Sequence, residues 1–194
     1  MPYLTEREIL ARASRVTQRL KKSEHRVHIE AKALADEKFD VFLSHSSAEP
    51  EAILVGIKDL LEEQGLSVYV DKYSDPQLVP DNVTPETANL LRERMRNSGS
   101  LLYVYSQHSK KSRWMPWELG FFDGLKGVVG VVPVTQNQEE KFKGEEYLNL
   151  YPYVDVAPEK VTKRDQLWIN RAHNIYAGLA PWAKGEEEIS KRAG

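Results

Sequence analysis

Apolar positions along the chain switch repeatedly between runs of strand length and stretches at helical spacing. Phe39-Asp40-Val41-Phe42-Leu43-Ser44 is a compact apolar run, and Ser44-His45-Ser46-Ser47 is a polar turn after it. Ile53, Leu54, Ile57, Leu60 and Leu61 then recur on one helical face, with Gln64-Gly65 as the stop. Leu66-Ser67-Val68-Tyr69-Val70-Asp71 reads as a second strand ending in an acid. A long loop with Pro76 and Pro80 leads to Thr84, placed to cap a helix that opens at Pro85 and carries Leu90, Leu91 and Met95. Leu101 to Ser106 is continuously apolar, the mark of a central strand covered on both faces. The stretch Ser112 to Gly120 opens the next helix, with Pro116 in the first turn, where its missing N–H costs nothing. Val128 to Val134 is a fourth central strand, and residues 135–150 are polar and loop-like. Tyr151 to Val156 is expected to be a short edge strand. Residues 162–179 are expected to form a last amphipathic helix around Leu167, Trp168, Ile169, Ile175, Tyr176 and Leu179.

Strand and helix in repeated alternation predict an α/β fold, a parallel sheet wrapped by helices on both faces. Residues 1–37 stand apart. They contain no glycine, carry interspersed charges of both signs, and offer only a thin apolar stripe at Leu10, Val16, Leu20 and Val27. Thr5 and Glu8 have the spacing of a capping box, so a helix is expected there, packed on the domain or pairing with another surface. The tail from Lys184 is charged and is expected to be disordered.

Composition narrows the function. A net charge of −2 gives no general support for nucleic-acid binding. The chain has no cysteine, which excludes thiol catalysis, disulfides and cysteine-based metal sites, and fits a cytoplasmic location. No apolar run reaches the roughly 20 residues of a membrane helix, and the N-terminus lacks the apolar region of a signal peptide. Asn82-Val83-Thr84 matches a glycosylation sequon, read as coincidental in such a chain. The five histidines are scattered, so no metal site is expected. Neither phosphate-binding glycine loop is present, nor is the nucleophile elbow of the α/β hydrolases.

In a parallel α/β sheet, ligands bind beyond the carboxyl ends of the strands, where the strand order reverses. Four features fall on that rim: Ser44-His45, Asp71 with its loop, Ser106 to Ser112, and the helix start bearing Trp114, Trp117 and Glu118. The two tryptophans and the acid lie at i, i+3 and i+4, on one helical face. The helix N-terminus favours an ionised Glu118. A carboxylate beside a ribose hydrogen-bonds its hydroxyls and stabilises an oxocarbenium ion, and the indoles offer stacking surfaces. Each residue also has a plain structural reading: Trp114 and Trp117 as packing, Glu118 as a solvated acid, His45 as a turn residue, Asp71 as a strand end, Tyr105 and Ser106 as packing and turn. Spacing alone leaves both readings open.

The same motifs resemble a known family. Phe39 to Ser46 looks like the first-strand signature of Toll/interleukin-1 receptor (TIR) domains, the bacterial ones in particular. Val68-Tyr69-Val70-Asp71 is similar to the family's second strand and the acid before its BB loop. Arg94 to Ser98 and Leu101 to Ser106 resemble the next helix and strand, and Trp114 to Leu119 resembles the family's Trp-x-x-x-Glu-Leu motif. The loop after Asp71 departs from the pattern in having no glycine. The resemblance implies a flavodoxin-like fold with a five-stranded parallel sheet over 38–183; residues 1–37, without counterpart in the minimal domain, are expected to be a helical extension and 184–194 a charged tail. It implies cleavage of NAD+ at the nicotinamide–ribose bond, with NAD+ as substrate and no further cofactor. Glu118 takes the place of the family's catalytic glutamate, and Trp117 that of the pocket aromatic before it. The expected substrate contacts around Glu118 are Phe42, Ser44, His45 and Asp71, together with Tyr105, Ser112, Trp114 and Trp117. The implied context is Thoeris-like antiphage defence: a cytoplasmic enzyme assembling through TIR–TIR contacts, with an effector protein answering its product. The other implied role is a non-catalytic interaction module. A nucleoside 2′-deoxyribosyltransferase shares the fold class and a ribose-directed glutamate.

Overall fold

The computed structural model describes residues 3–22, 37–75, 84–136, 146–160 and 162–191. Pro76, Pro80, Asn82 and Val27 lie outside the described residues. In chain order the elements are β1 (Leu4–Thr5), α1 (Glu6–Lys22), β2 (Phe39–Ser44), α2 (Glu51–Glu63), β3 (Val68–Tyr69) and α3 (Asp71–Ser74). Then come α4 (Pro85–Arg96), β4 (Ser98–Tyr105), α5 (Trp114–Lys126), β5 (Val129–Thr135) and β6 (Tyr153–Pro158). The chain closes with β7 (Asp165–Ala172), β8 (Ile175–Gly178), α6 (Leu179–Ala183) and β9 (Ser190–Lys191).

Five strands, in the order β3-β2-β4-β5-β6, run parallel and form the expected flavodoxin-like centre. From β2 the chain moves to β3 on one side and then returns to β4 on the other. The strand order therefore reverses between β2 and β4. Alternating side chains send Val41, Leu43, Leu102, Val104 and Val132 to one face, under α1, α2 and α6. Phe42, Leu101, Tyr103, Val129 and Val131 go to the other face, against α4 and α5.

The helix ends follow their sequence signals. Thr5 Oγ1 accepts from the Glu8 N–H at 3.3 Å, while the Thr5 N–H donates to the Glu8 carboxylate at 3.1 Å: a reciprocal capping box. The Thr84 hydroxyl oxygen caps α4 by accepting from Thr87 N–H. Helix α5 runs slightly past Gly124 and stops at Gly127, whose φ of 68° suits a residue without Cβ.

Four expectations are corrected. The helix expected over 162–179 is a β7–β8 hairpin with β6 as its neighbour. Leu167, Ile169 and Ala177 face the core, whereas Trp168 and Tyr176 meet edge-to-face at 5.3 Å on the opposite side. That is a period of two, and the open flank of β6 selects it over the helical alternative. With β7 alongside, β6 is an interior strand rather than an edge. The tail expected to be disordered supplies β9, which pairs with β8 through Ile175–Lys191 and Tyr176–Ser190. Backbone pairing at an exposed strand needs no apolar side chain. Finally, the buried stripe of α1 is Ile9 and Ala13, while Leu10 is exposed. Helix α1 crosses α2 so closely that a Cβ on Gly56 would lie 2.4 Å from the Ile9 carbonyl oxygen. Arg12 locks the crossing with 2.6 Å contacts to Asp59 and Glu63. The N-terminal segment is built into the sheet as well, since β1 pairs in parallel with β5.

Candidate active site

Strands β2 and β4 pair in parallel up to Ser44 opposite Tyr103, and their carboxyl ends lie at the reversal of strand order. Ser44 ends β2 one position before His45, so one dipeptide reaches two directions. The Ser44 hydroxyl donates to Glu118 Oε2 at 2.6 Å, joining the end of β2 to α5. His45 Nε2 lies 2.7 Å from Asp71 Oδ1, joining β2 to the first residue of α3. Four of the residues singled out by sequence, Ser44, His45, Asp71 and Glu118, thus converge from three separate segments.

Glu118 is 5% exposed. Burial and the charge of Asp71 push its carboxyl up to about 7, against the opposing pulls of the Ser44 hydroxyl and His45. The helix N-terminus favours the ionised form, but desolvation outweighs a terminal dipole whose influence fades within the first turn. A carboxyl titrating near neutrality, at the carboxyl-end rim of a parallel sheet, is suited to meeting a developing positive charge or taking a proton. Burial would lower His45, but the hydrogen bond and charge of Asp71 override it and raise the imidazole above its ordinary value. Burial would raise Asp71, but the His45 contact overrides it and holds the carboxyl low.

The other expected contacts divide. Phe42 is buried and stacks on Tyr69 at 5.1 Å, within the core. Tyr105 is half-buried at the end of β4. The Ser112 hydroxyl accepts from the Met115 N–H at 3.3 Å and so serves the start of α5. Trp114 and Trp117 meet edge-to-face at 5.2 Å, and Trp117 stacks on Phe121 at 5.9 Å. The guanidinium of Arg92, from α4, covers Trp117 at 5.3 Å. These indoles pack against the α4–α5 side of the core, while Glu118 turns inward to Ser44.

Two features were missed. Glu49, in the turn before α2, is buried and accepts from the Ser106 hydroxyl at 2.6 Å. Burial raises its carboxyl despite that bond and the neighbouring His108 and His45. Its sequence position carries no periodic signal. The second is Asp75, fully buried directly after α3. It accepts from Arg94 Nε at 2.8 Å and from the Tyr69 hydroxyl at 2.9 Å. Leu91, Arg94 and Met95 share one buried face of α4. A charged residue on an apolar stripe requires a buried partner, and that signal was readable.

A family model described as TIR domain matches residues 41–168. A probable 3′ cyclic ADP-D-ribose synthase, ThsB′ of Bacillus cereus (strain MSX-D12), is 42% identical over 145 residues, 74% of this chain and 75% of that protein. A probable 2′ cyclic ADP-D-ribose synthase, TcpO of Methanobrevibacter olleyae, is 27% identical over 121 residues, covering 58% of this chain and 33% of that protein. Among solved structures, the TIR domain of the Toll-related receptor TRR-2 from Hydra magnipapillata aligns with a TM-score of 0.45 at 19% identity. It covers 61% of this chain and 84% of that one. The matched span runs from β2 into β7 and contains every residue of the converging cluster. With that span matched and the five parallel strands in place, the chain belongs to the TIR domain family.

Proposed function

We propose that the protein cleaves NAD+ at the nicotinamide–ribose bond and closes the released ADP-ribosyl unit into a cyclic ADP-ribose. The observation that carries this reading is Glu118: a buried carboxyl held at about 7, fixed by Ser44 at the reversal of strand order. The likeness to ThsB′ and TcpO, both named as probable cyclic ADP-D-ribose synthases, supports the product class. ThsB′ is named for the 3′ isomer and is the more similar over the larger share, so the 3′ product is the isomer to look for first.

The chemistry follows from charge. Nicotinamide in NAD+ is already cationic at its ring nitrogen. It leaves with the bonding electrons as a neutral molecule, and no general acid is needed. The ribosyl carbon it leaves behind becomes an oxocarbenium ion, which an ionised Glu118 stabilises. A hydroxyl of the second ribose then attacks that carbon, and Glu118 takes its proton. Water entering instead would give plain ADP-ribose, so cyclisation depends on the folded dinucleotide excluding it. Antiphage signalling in the cytoplasm, assembly through contacts between copies and an effector protein answering the product complete the proposal. Among the described residues no helix is long and apolar enough to cross a membrane.

The test is incubation of the purified protein with NAD+, followed by chromatography and mass spectrometry. The expected result is nicotinamide with a cyclic ADP-ribose, and loss of turnover by a factor of about a thousand or more in Glu118→Gln. Full turnover in that variant removes Glu118 from the reaction. Deoxynucleoside exchange in place of NAD+ loss replaces the proposal with a deoxyribosyl transferase.

A further inference from the structure

The His45 side chain is 4% exposed, and both of its ring nitrogens face acceptors. Nε2 lies 2.7 Å from Asp71 Oδ1, and Nδ1 lies 3.0 Å from the Ser46 carbonyl oxygen. A carbonyl oxygen only accepts, and so does an ionised carboxylate. Asp71 Oδ1 also accepts from the Lys72 backbone N–H at 2.6 Å, a bond that favours its ionised form. A neutral imidazole carries a single N–H. Either tautomer would then set one lone pair against another at hydrogen-bond distance. With Asp71 held low by its contacts, and so ionised at neutral pH, the imidazolium is the form that satisfies both contacts.

We propose that His45 is held protonated as the resident counter-ion of Asp71, a positioning residue whose charge favours the ionised form of Glu118. The sequence reading made His45 a substrate contact. With both N–H groups committed to Ser46 and Asp71, no donor remains for a ligand. Its influence instead reaches Glu118 through charge. Asp71 and Glu118 are two carboxylates tied to the adjacent residues His45 and Ser44, and Asp71 raises Glu118 while His45 lowers it. Without the cation, one of the two acids would keep its proton, and Asp71, more exposed and bonded to a backbone N–H, would stay ionised at the expense of Glu118.

The charged surroundings can be named from each side. His45 faces Asp71 on α3, Glu118 on α5 and Glu49 in the turn before α2. Lys72 lies beside Asp71. His108 and Glu6 lie near Glu49, which Ser106 holds. Of these groups, Asp71 and His45 act on Glu118. The inference rests on Glu118 being the working carboxylate, yet its test needs no substrate.

Nitrogen-15 NMR of histidine-labelled full-length protein, free of substrate, reads the ring directly. Both His45 nitrogens are expected at imidazolium shifts across the neutral range. A neutral tautomer at neutral pH overturns the proposal. Carbon-13 titration of the Glu118 carboxyl gives the second arm. In His45→Gln, which keeps a donor toward Asp71 without the charge, the midpoint is expected to rise. In Asp71→Asn it is expected to fall, and in the double variant to return toward the wild-type value. A midpoint unmoved in His45→Gln, or one that rises in Asp71→Asn, overturns the proposal. Should His45→Gln lose its fold by circular dichroism, the wild-type ring shifts and Asp71→Asn still decide. If the protein fails to cleave NAD+ while these titrations behave as expected, the proposed reaction falls and the counter-ion assignment stands.

Discussion

Glu118 and Asp75 are both acids removed from solvent, at 5% and 0% exposure, and the fold dresses them in opposite ways. Asp75 receives a guanidinium at 2.8 and 3.3 Å and a phenol at 2.9 Å. Its charge is matched in place, and it ties the residue after α3 to α4 and β3. Glu118 receives one serine hydroxyl at 2.6 Å, and its cation stands one residue away on a different carboxylate. The first arrangement builds structure. The second keeps a carboxyl close to the balance between neutral and ionised forms, where a reaction can tip it. Burial is common to both, so the partners decide the outcome.

The largest expected effect breaks the structural side of the pair. Arg94→Met leaves Asp75 buried without its cation, and the cost is about 3–5 kcal/mol of stability by urea denaturation. Replacing both partners, as Arg94→Met with Asp75→Leu, recovers most of it. A single-variant cost below about 1 kcal/mol would show that Asp75 does not depend on Arg94.

Next comes the reactive side, read through pH. The carboxyl of Glu118 moves from an ordinary 4.5 to about 7 on folding. Between those values the folded protein holds a proton that the unfolded chain has lost. The favourable contribution is complete below about 4.5 and disappears as pH rises through about 7. Glu118→Gln lacks this titration. Its stability relative to wild type should therefore climb by up to roughly 3 kcal/mol over that window. Parallel pH profiles in thermal denaturation would mean that Glu118 is not perturbed.

A smaller change sharpens the role of the lone hydroxyl. Ser44→Ala withdraws the hydrogen bond that favours ionised Glu118, so the acid limb of nicotinamide release should move to higher pH. Turnover at neutral pH should fall roughly tenfold, in line with about 1.5 kcal/mol for a bond to a charged group. An unchanged limb would detach Ser44 from the function of Glu118. The smallest effect calibrates the rest. Thr84→Ala removes the cap of α4 and should cost about 1 kcal/mol by the same denaturation measurement. A larger loss there than in Arg94→Met would reverse the ranking of buried pair over surface cap.

Much of this arrangement was legible before any coordinates. Leu101 to Tyr105 and Val129 to Val134 are apolar on both faces and lie at the centre of the sheet. Thr5 with Glu8, and Thr84, cap the helices their spacing indicates. Ser44, His45, Asp71 and Glu118 all fall on the rim, because in a parallel sheet every strand's carboxyl end opens on the same side. The misses have one physical origin. Residues 165–178 contain a short apolar run compatible with two periods, and a vacant flank on β6 is not written in the run itself. Lys191 and Ser190 join the sheet through backbone groups, to which hydropathy is blind. The aromatic row of Trp114, Trp117 and Phe121 and the carboxyl of Glu118 leave α5 in different directions, and spacing did not say which one meets the end of β2.

By itself the sequence determined what is local: strand and helix order, caps, and the residue types delivered to the ligand-binding rim. These depend on propensity and periodicity over a few turns of chain. The tertiary structure alone decided charge. Glu118 differs from an ordinary helix acid only because α5 buries it against Ser44 and near Asp71. His45 becomes a cation only because α3 brings Asp71 to one nitrogen while Ser46 occupies the other. Ionisation depends on desolvation and on neighbours distant in sequence, and folding is what supplies both.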